Sequence, residues 1–162
     1  MHTKILYYKK FKGKELPVDY VNWAYSMLEN GISTPSLNIL ASLREPLNIF
    51  EIEDYFKRAL VELSMAEPSY EECAKYYIRH LLRRVIDDKN NAINFAYEIY
   101  EVVREHFINE ELEIWYEISD MIDDFRYGDN MRKITQDFLI TTIVQESKKQ
   151  LSNRFLLNER GL

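Results

Sequence analysis

Apolar positions recur at steps of three and four along most of this chain, and prolines and glycines sit between the runs, a pattern that predicts helices rather than strands. Pro17 opens a first full helix, with Val18, Val21, Ala24, Tyr25 and Leu28 on its inner face and Gly31 as its stop. Ser33-Thr34-Pro35 is a second start signal, and Leu37, Leu40, Ala41 and Leu43 follow it inward. Beyond Pro46, Asn48 and Glu51 form a capping pair for a stripe of Ile49, Ile52, Phe56, Ala59, Leu60 and Leu63. Ser69 and Glu72 repeat the device ahead of Tyr70 to Ile86, where Tyr77, Ile78, Leu81, Leu82 and Val85 point to a core.

Three more periodic stretches complete the reading. Ala92 to Phe107 carries Phe95, Ala96, Ile99, Val102, Val103 and His106 on one side, and Met131 to about Lys149 carries Ile134, Phe138, Leu139, Thr142 and Ile143. Between them, Asn109 to Gly128 bears two patterns at once. Glu110, Glu113, Glu117, Asp120 and Asp124 recur at alternating steps of three and four, and Ile114, Ile118, Met121 and Phe125 follow the same rule, widened by Trp115 and Ile122. Such a helix is anchored by one strip while another stays acidic and open.

The expected fold is therefore all-α, one domain over residues 1–162, a bundle or short helix-pair stack of six or seven helices. Residues 1–14, with strand formers at 3–8 and lysines 9, 10, 12 and 14, read as an extended arm or a first helical turn. Periodicity fades over residues 152–162, which are expected to fray.

Composition narrows the function classes. A net charge of −6 disfavours broad nucleic-acid binding, and no stretch approaches the ~20 apolar residues of a membrane span or the core of a signal peptide, so a cytoplasmic setting is expected. The lone Cys73 has no partner for an internal disulfide. From Asp87 to Asp129 thirteen acids meet three bases, a local balance of −10 that leaves the rest of the chain at +4. An acidic middle suits a basic protein partner, with Tyr97, Tyr100, Tyr116 and Tyr127 as aromatic anchors beside the stripe, although a solvated helix face produces the same pattern.

Glu110, Glu113, Glu117, Asp120, Asp124 and Tyr116 are thus the candidate partner-binding residues, with no catalytic residue and no cofactor assigned. The lysine and arginines of Lys75, Arg79, Arg83 and Arg84 make too small a footprint for nucleic acid. His80 and His106 lack the spaced partners of a zinc site, and Cys73 and the serines lack a nucleophile's setting.

The alternative is a metal site. Glu98-x-x-Glu101 and Glu117-x-x-Asp120 each set two carboxylates one turn apart, and an antiparallel hairpin turning near Asn109 would place Glu98 level with Asp120 and Glu101 with Glu117. This spacing resembles the E-x-x-E and E-x-x-D pattern of the all-α nucleoside triphosphate pyrophosphohydrolases over residues 95–125, with Ser119 as the small residue before the aspartate. That resemblance implies magnesium held by the four acids and hydrolysis of a phosphate by water.

A second likeness covers more of the chain. The stretch from Gly31 to Pro46, continued by Asn48, Phe50, Glu51 and the run Ala59 to Leu63, resembles small bacterial helical proteins grouped as a domain of unknown function. Some similar acidic proteins belong to toxin–immunity systems, where they bind and block a toxin. The likeness implies the fold and transfers no functional residue.

Overall fold

A computed structural model describes residues 1–157, whose regular structure is helical with no strand among them. Among these residues nine α-helices run in order: α1 Thr3–Phe11, α2 Pro17–Glu29, α3 Pro35–Ser42, α4 Ile49–Glu62, α5 Tyr70–Asp87, α6 Ala92–His106, α7 Ile114–Tyr127, α8 Gln136–Gln150 and α9 Arg154–Leu157. The count exceeds the expected six or seven because both ends of the described chain add one. The chain start takes the helical form as α1, and within the segment expected to fray, Arg154–Leu157 is helical with Leu156 fully buried. The rest of that segment, 158–162, lies outside the described residues.

The chain divides into two compact units, with the division inside α5 between Cys73 and Ala74. In the first unit the aromatic centre is Phe56, met edge-on by Trp23 at 4.9 Å and by Tyr20 at 5.0 Å, with Tyr7 tilted against it at 5.8 Å. Edge-to-face rings place the positive rim of one on the negative face of another, which adds to the apolar burial. Trp23 donates its indole N–H to Thr3 Oγ1 at 2.9 Å, so α1 is tied to α2 through a polar atom that would otherwise be stranded. Lys9 pairs with Asp19 at 2.7 Å and Lys10 with Glu53 at 3.1 Å, and two lysines of the basic start are thereby used inside the unit. Packing overrides the strand preference of Ile5, Tyr7 and Tyr8: as a helix the segment buries Leu6, Tyr7 and Tyr8 while Lys9 and Lys10 reach acids on α2 and α4.

The stop and start signals act as chemistry requires. Gly31 takes φ 77°, and with it Ile32 N–H reaches back to Met27 O at 3.0 Å, closing the carbonyl end of α2. Thr34 caps α3, while Glu62 at the end of α4 accepts both the N–H and the hydroxyl of Ser36, at 3.0 and 2.6 Å. Asn48 caps Phe50 N–H, and Ser69 with Glu72 forms the reciprocal pair that opens α5.

In the second unit Trp115, Ile78, Leu82, Ile99, Leu112, Ile118, Ile122, Leu139 and Ile143 are buried. Helix α6 packs along α7 and α8, and α8 also meets α7. The stretch expected as a helix from Met131 becomes helical only at Gln136, since Asn130 and Lys133 take left-handed backbone and the Asn130 side chain bonds both backbone groups of Ile134. Phe138, expected inside, is more than half exposed, and Val144, Ser147 and Gln150 take the inner face of α8 instead.

Candidate functional site

The acidic stretch is not one uninterrupted α-helix. Asn109 Oδ1 accepts from Glu111 N–H at 2.9 Å and starts a 3-10 turn at Glu110–Leu112, after which the α-helical pattern begins at Ile114. Residues three apart superimpose in a 3-10 turn, so Glu110 and Glu113 remain in line with the stripe. Carboxylates here also face the positive end of α7, a structural reason for Glu113 and Glu117 that is independent of any partner.

Pairs along the chain show that α6 and α7 run antiparallel. Arg126 near the end of α7 donates to Asn94 Oδ1 near the start of α6 at 2.6 Å, Tyr100 meets Tyr116 at 5.3 Å, and Phe107 and Asn109 share a cleft with Tyr116 at the corner. The hairpin turns near Asn109, the condition on which the metal alternative rested.

Of the stripe, Glu110, Glu113, Glu117 and Asp120 are exposed. Asp124 differs. It is half-buried, its Oδ2 is enclosed without a hydrogen-bond partner, and its Oδ1 lies where a side chain at Gly128 would sit, 2.8 Å from the position of a Cβ there. A Cβ at 128 would also lie 3.0 Å from the Asp124 backbone, so the glycine lets the chain turn closely past the end of α7. The open face is therefore four carboxylates long, with Asp124 folded back at its far end.

The four acids of the metal alternative are not gathered. Glu98 is half-buried and accepts the Tyr77 hydroxyl at 2.5 Å, whereas Glu101, Glu117 and Asp120 are exposed. Among the described residues no group of three or more His, Cys, Asp or Glu is placed to hold a metal ion. The register across the hairpin is as expected, but level positions on two helices do not aim side chains at one point.

Tyrosines form a ladder beside the stripe. Tyr97 and Tyr100 lie 5.6 Å apart, and Tyr100 meets Tyr116 nearly perpendicular across the hairpin. Arg104 stands over the Tyr100 ring at 5.3 Å, and the neighbouring Tyr100 phenol is the main cause that raises the guanidinium pKa further. Asp123, then desolvation, pushes the Tyr97 phenol up, so this ring stays neutral beside the acids. Tyr127 stands 81% exposed at the far end of α7.

One residue of the face, Ile108, was not legible as a site residue. Ile108 follows α6 with its side chain fully open to solvent, and it joins Phe107, Asn109, Glu113, Tyr116 and Glu117 around a cleft of about 360 Å³. The available signal was positional: an isoleucine between a helix end and an Asn cap has no turn of helix to carry it inward.

The corner is braced from the C-terminal segment. Phe155 packs edge-on against Phe107 at 5.3 Å, Gln150 donates to Glu111 O at 2.8 Å, and Asn153 donates to Gln150 Oε1 at 2.7 Å. Lys75, one of the bases along α5, is buried with its ammonium 4.1 Å above the Phe155 ring. Arg84 lies over Phe95 at 4.8 Å and Arg79 over Tyr76 at 5.7 Å, so aromatic rings engage most of the basic side of α5.

The other candidate nucleophile and ligands have packing roles. Cys73 is fully buried, and burial pushes its thiol up to about 12, which keeps it protonated and inert. His80 is stacked on Tyr77 at 6.2 Å, and His106 sits edge-on to Phe107 with Glu105 at 3.4 Å. No helix among the described residues is long and apolar enough to cross a membrane. No protein-family model, curated protein or solved structure matches this chain.

Proposed function

We propose that this chain is a non-enzymatic binding protein that engages a basic protein partner through the α6–α7 hairpin, in the manner of a bacterial cytoplasmic immunity protein. The observation that carries the reading is the conjunction at one face: exposed Glu110, Glu113, Glu117 and Asp120 beside a tyrosine ladder and a fully exposed Ile108. Carboxylates held on a fixed helix accelerate encounter with a cationic surface, and desolvated aromatic and aliphatic side chains slow departure. A solvated acidic face alone accounts for the charges but leaves an isoleucine in water beside a cleft.

The test is affinity capture from bacterial extract at low and high salt, comparing the wild-type chain with one carrying lysine at Glu110, Glu113, Glu117, Asp120 and Asp124. A basic protein held by the wild type, released by salt and absent from the variant, is the expected result. An identical captured set for both chains overturns the reading.

A further inference from the structure

We infer that the cleft at the α6–α7 corner receives a single arginine side chain of the partner, its guanidinium on the Tyr116 ring between Glu113 and Glu117 and its aliphatic stem against Phe107 and Ile108. This rests on the protein-binding reading above and adds the chemistry of what the face recognises.

Four observations converge on arginine. First, the cleft is about 360 Å³, within the lower part of the range of ligand pockets, so it has room for one long side chain. Second, its lining divides by chemistry into an apolar wall, Phe107 and Ile108, and a polar one, Glu113 and Glu117 one helical turn apart. A side chain that fits must be apolar along its length and cationic at its tip, which lysine and arginine are.

Third, the acceptor beside those carboxylates is an aromatic ring, Tyr116, 39% exposed. A planar guanidinium stacks on a ring and forks to a carboxylate at the same time, whereas an ammonium is a point charge that does neither as well. Fourth, the molecule already uses this pairing one step along the ladder: Arg104 lies over Tyr100, and Tyr100 lies against Tyr116. The ladder thus carries a guanidinium at one rung and presents the next rung, flanked by two carboxylates, to solvent. Anionic occupants are opposed by both carboxylates.

The probe is N-acetyl-arginine amide, titrated into the full chain and followed by NMR at the Ile108 methyls and the Tyr116 ring, with the uncharged citrulline analogue as control. Saturable movement of both residues with arginine and none with citrulline is expected, and the double variant E113Q/E117Q is expected to weaken the arginine response at least tenfold while its spectrum stays dispersed. Equal movement with citrulline, or an undiminished response in the double variant, overturns the assignment. So does movement of the same signals on raising protein concentration alone, which would put a second copy of this chain in the cleft.

Lysine substitutions at Glu110 and Asp120, outside the cleft, separate the two levels of inference. If the arginine probe fails while these substitutions still release the captured partner, the cleft assignment falls and the acidic face stands. If the probe fails and the partner is also indifferent to the acidic stripe, both fall.

Discussion

Tyr77 donates its phenol hydroxyl to Glu98 Oε1 across 2.5 Å, and that bond turns one of four carboxylates with metal-site spacing toward α5. A divalent hard cation needs several oxygens at once, and Glu101, Glu117 and Asp120 stand exposed without a common focus. Calorimetric titration with magnesium or manganese is accordingly expected to show no saturable heat, in the wild type or in Glu117→Gln. Saturable binding lost in that variant would restore the metal site and with it hydrolytic chemistry.

Ile108 should behave as a surface residue for folding and as an anchor for binding. Its side chain is fully exposed, so Ile108→Ser changes stability by no more than about 0.5 kcal/mol. Capture of the partner should nevertheless weaken measurably, because an exposed isoleucine at the edge of a cleft is buried only in a complex. Urea melts and capture run on the same variant decide this; a large loss of stability, or capture at wild-type strength, removes Ile108 from the interface.

Phe155 holds the corner from below, through Phe107 on one side and the Lys75 ammonium on the other. Phe155→Ala removes a ring in contact with a buried aromatic and exposes a cation that now sits over it, and a loss of about 3 kcal/mol follows, at the low end for such truncations because Phe155 is itself only half-buried. Amide exchange should speed up first at Glu110–Leu112, which Gln150 ties to the same segment. Uniform acceleration across the second unit would instead mean that the brace is global.

Helices were legible wherever a local rule decided them. Proline at position 35 after Thr34, the Ser69–Glu72 pair and Gly31 are short-range signals, and each acts in the structure as its chemistry implies. Miscounts came where distant contacts decide. Helix α1 runs through strand formers because Leu6, Tyr7 and Tyr8 are buried in the first unit, and α8 begins late because Asn130 spends its amide on Ile134. Of the candidate face, the stripe of acids and the tyrosine neighbours could be read from spacing. The inward turn of Asp124, the engagement of Glu98 by Tyr77 and the exposure of Ile108 depend on which neighbour fills the space beside each side chain, and no periodicity encodes that.

His80 gives the fold a pH dependence that can be isolated. Burial lowers its pKa below the ordinary 6.5, the guanidiniums of Arg84 and Arg83 lower it further, and Glu98, already holding the Tyr77 hydroxyl, opposes them more weakly. Folded His80 therefore stays neutral at pH values where the unfolded chain has taken up a proton. Where the unfolded state binds more protons, stability rises with pH, so the contribution is fully present above about 6.5 and is lost as pH falls through the lower, folded pKa. Urea midpoints of the wild type should drop between pH 7.5 and 5.5 by more than those of His80→Gln, and the His80 ring protons should titrate below 6.5 by NMR. Parallel losses in the two proteins would assign the acid sensitivity to other groups, and a ring midpoint above 6.5 would mean that Glu98, rather than burial and the two arginines, governs the imidazole.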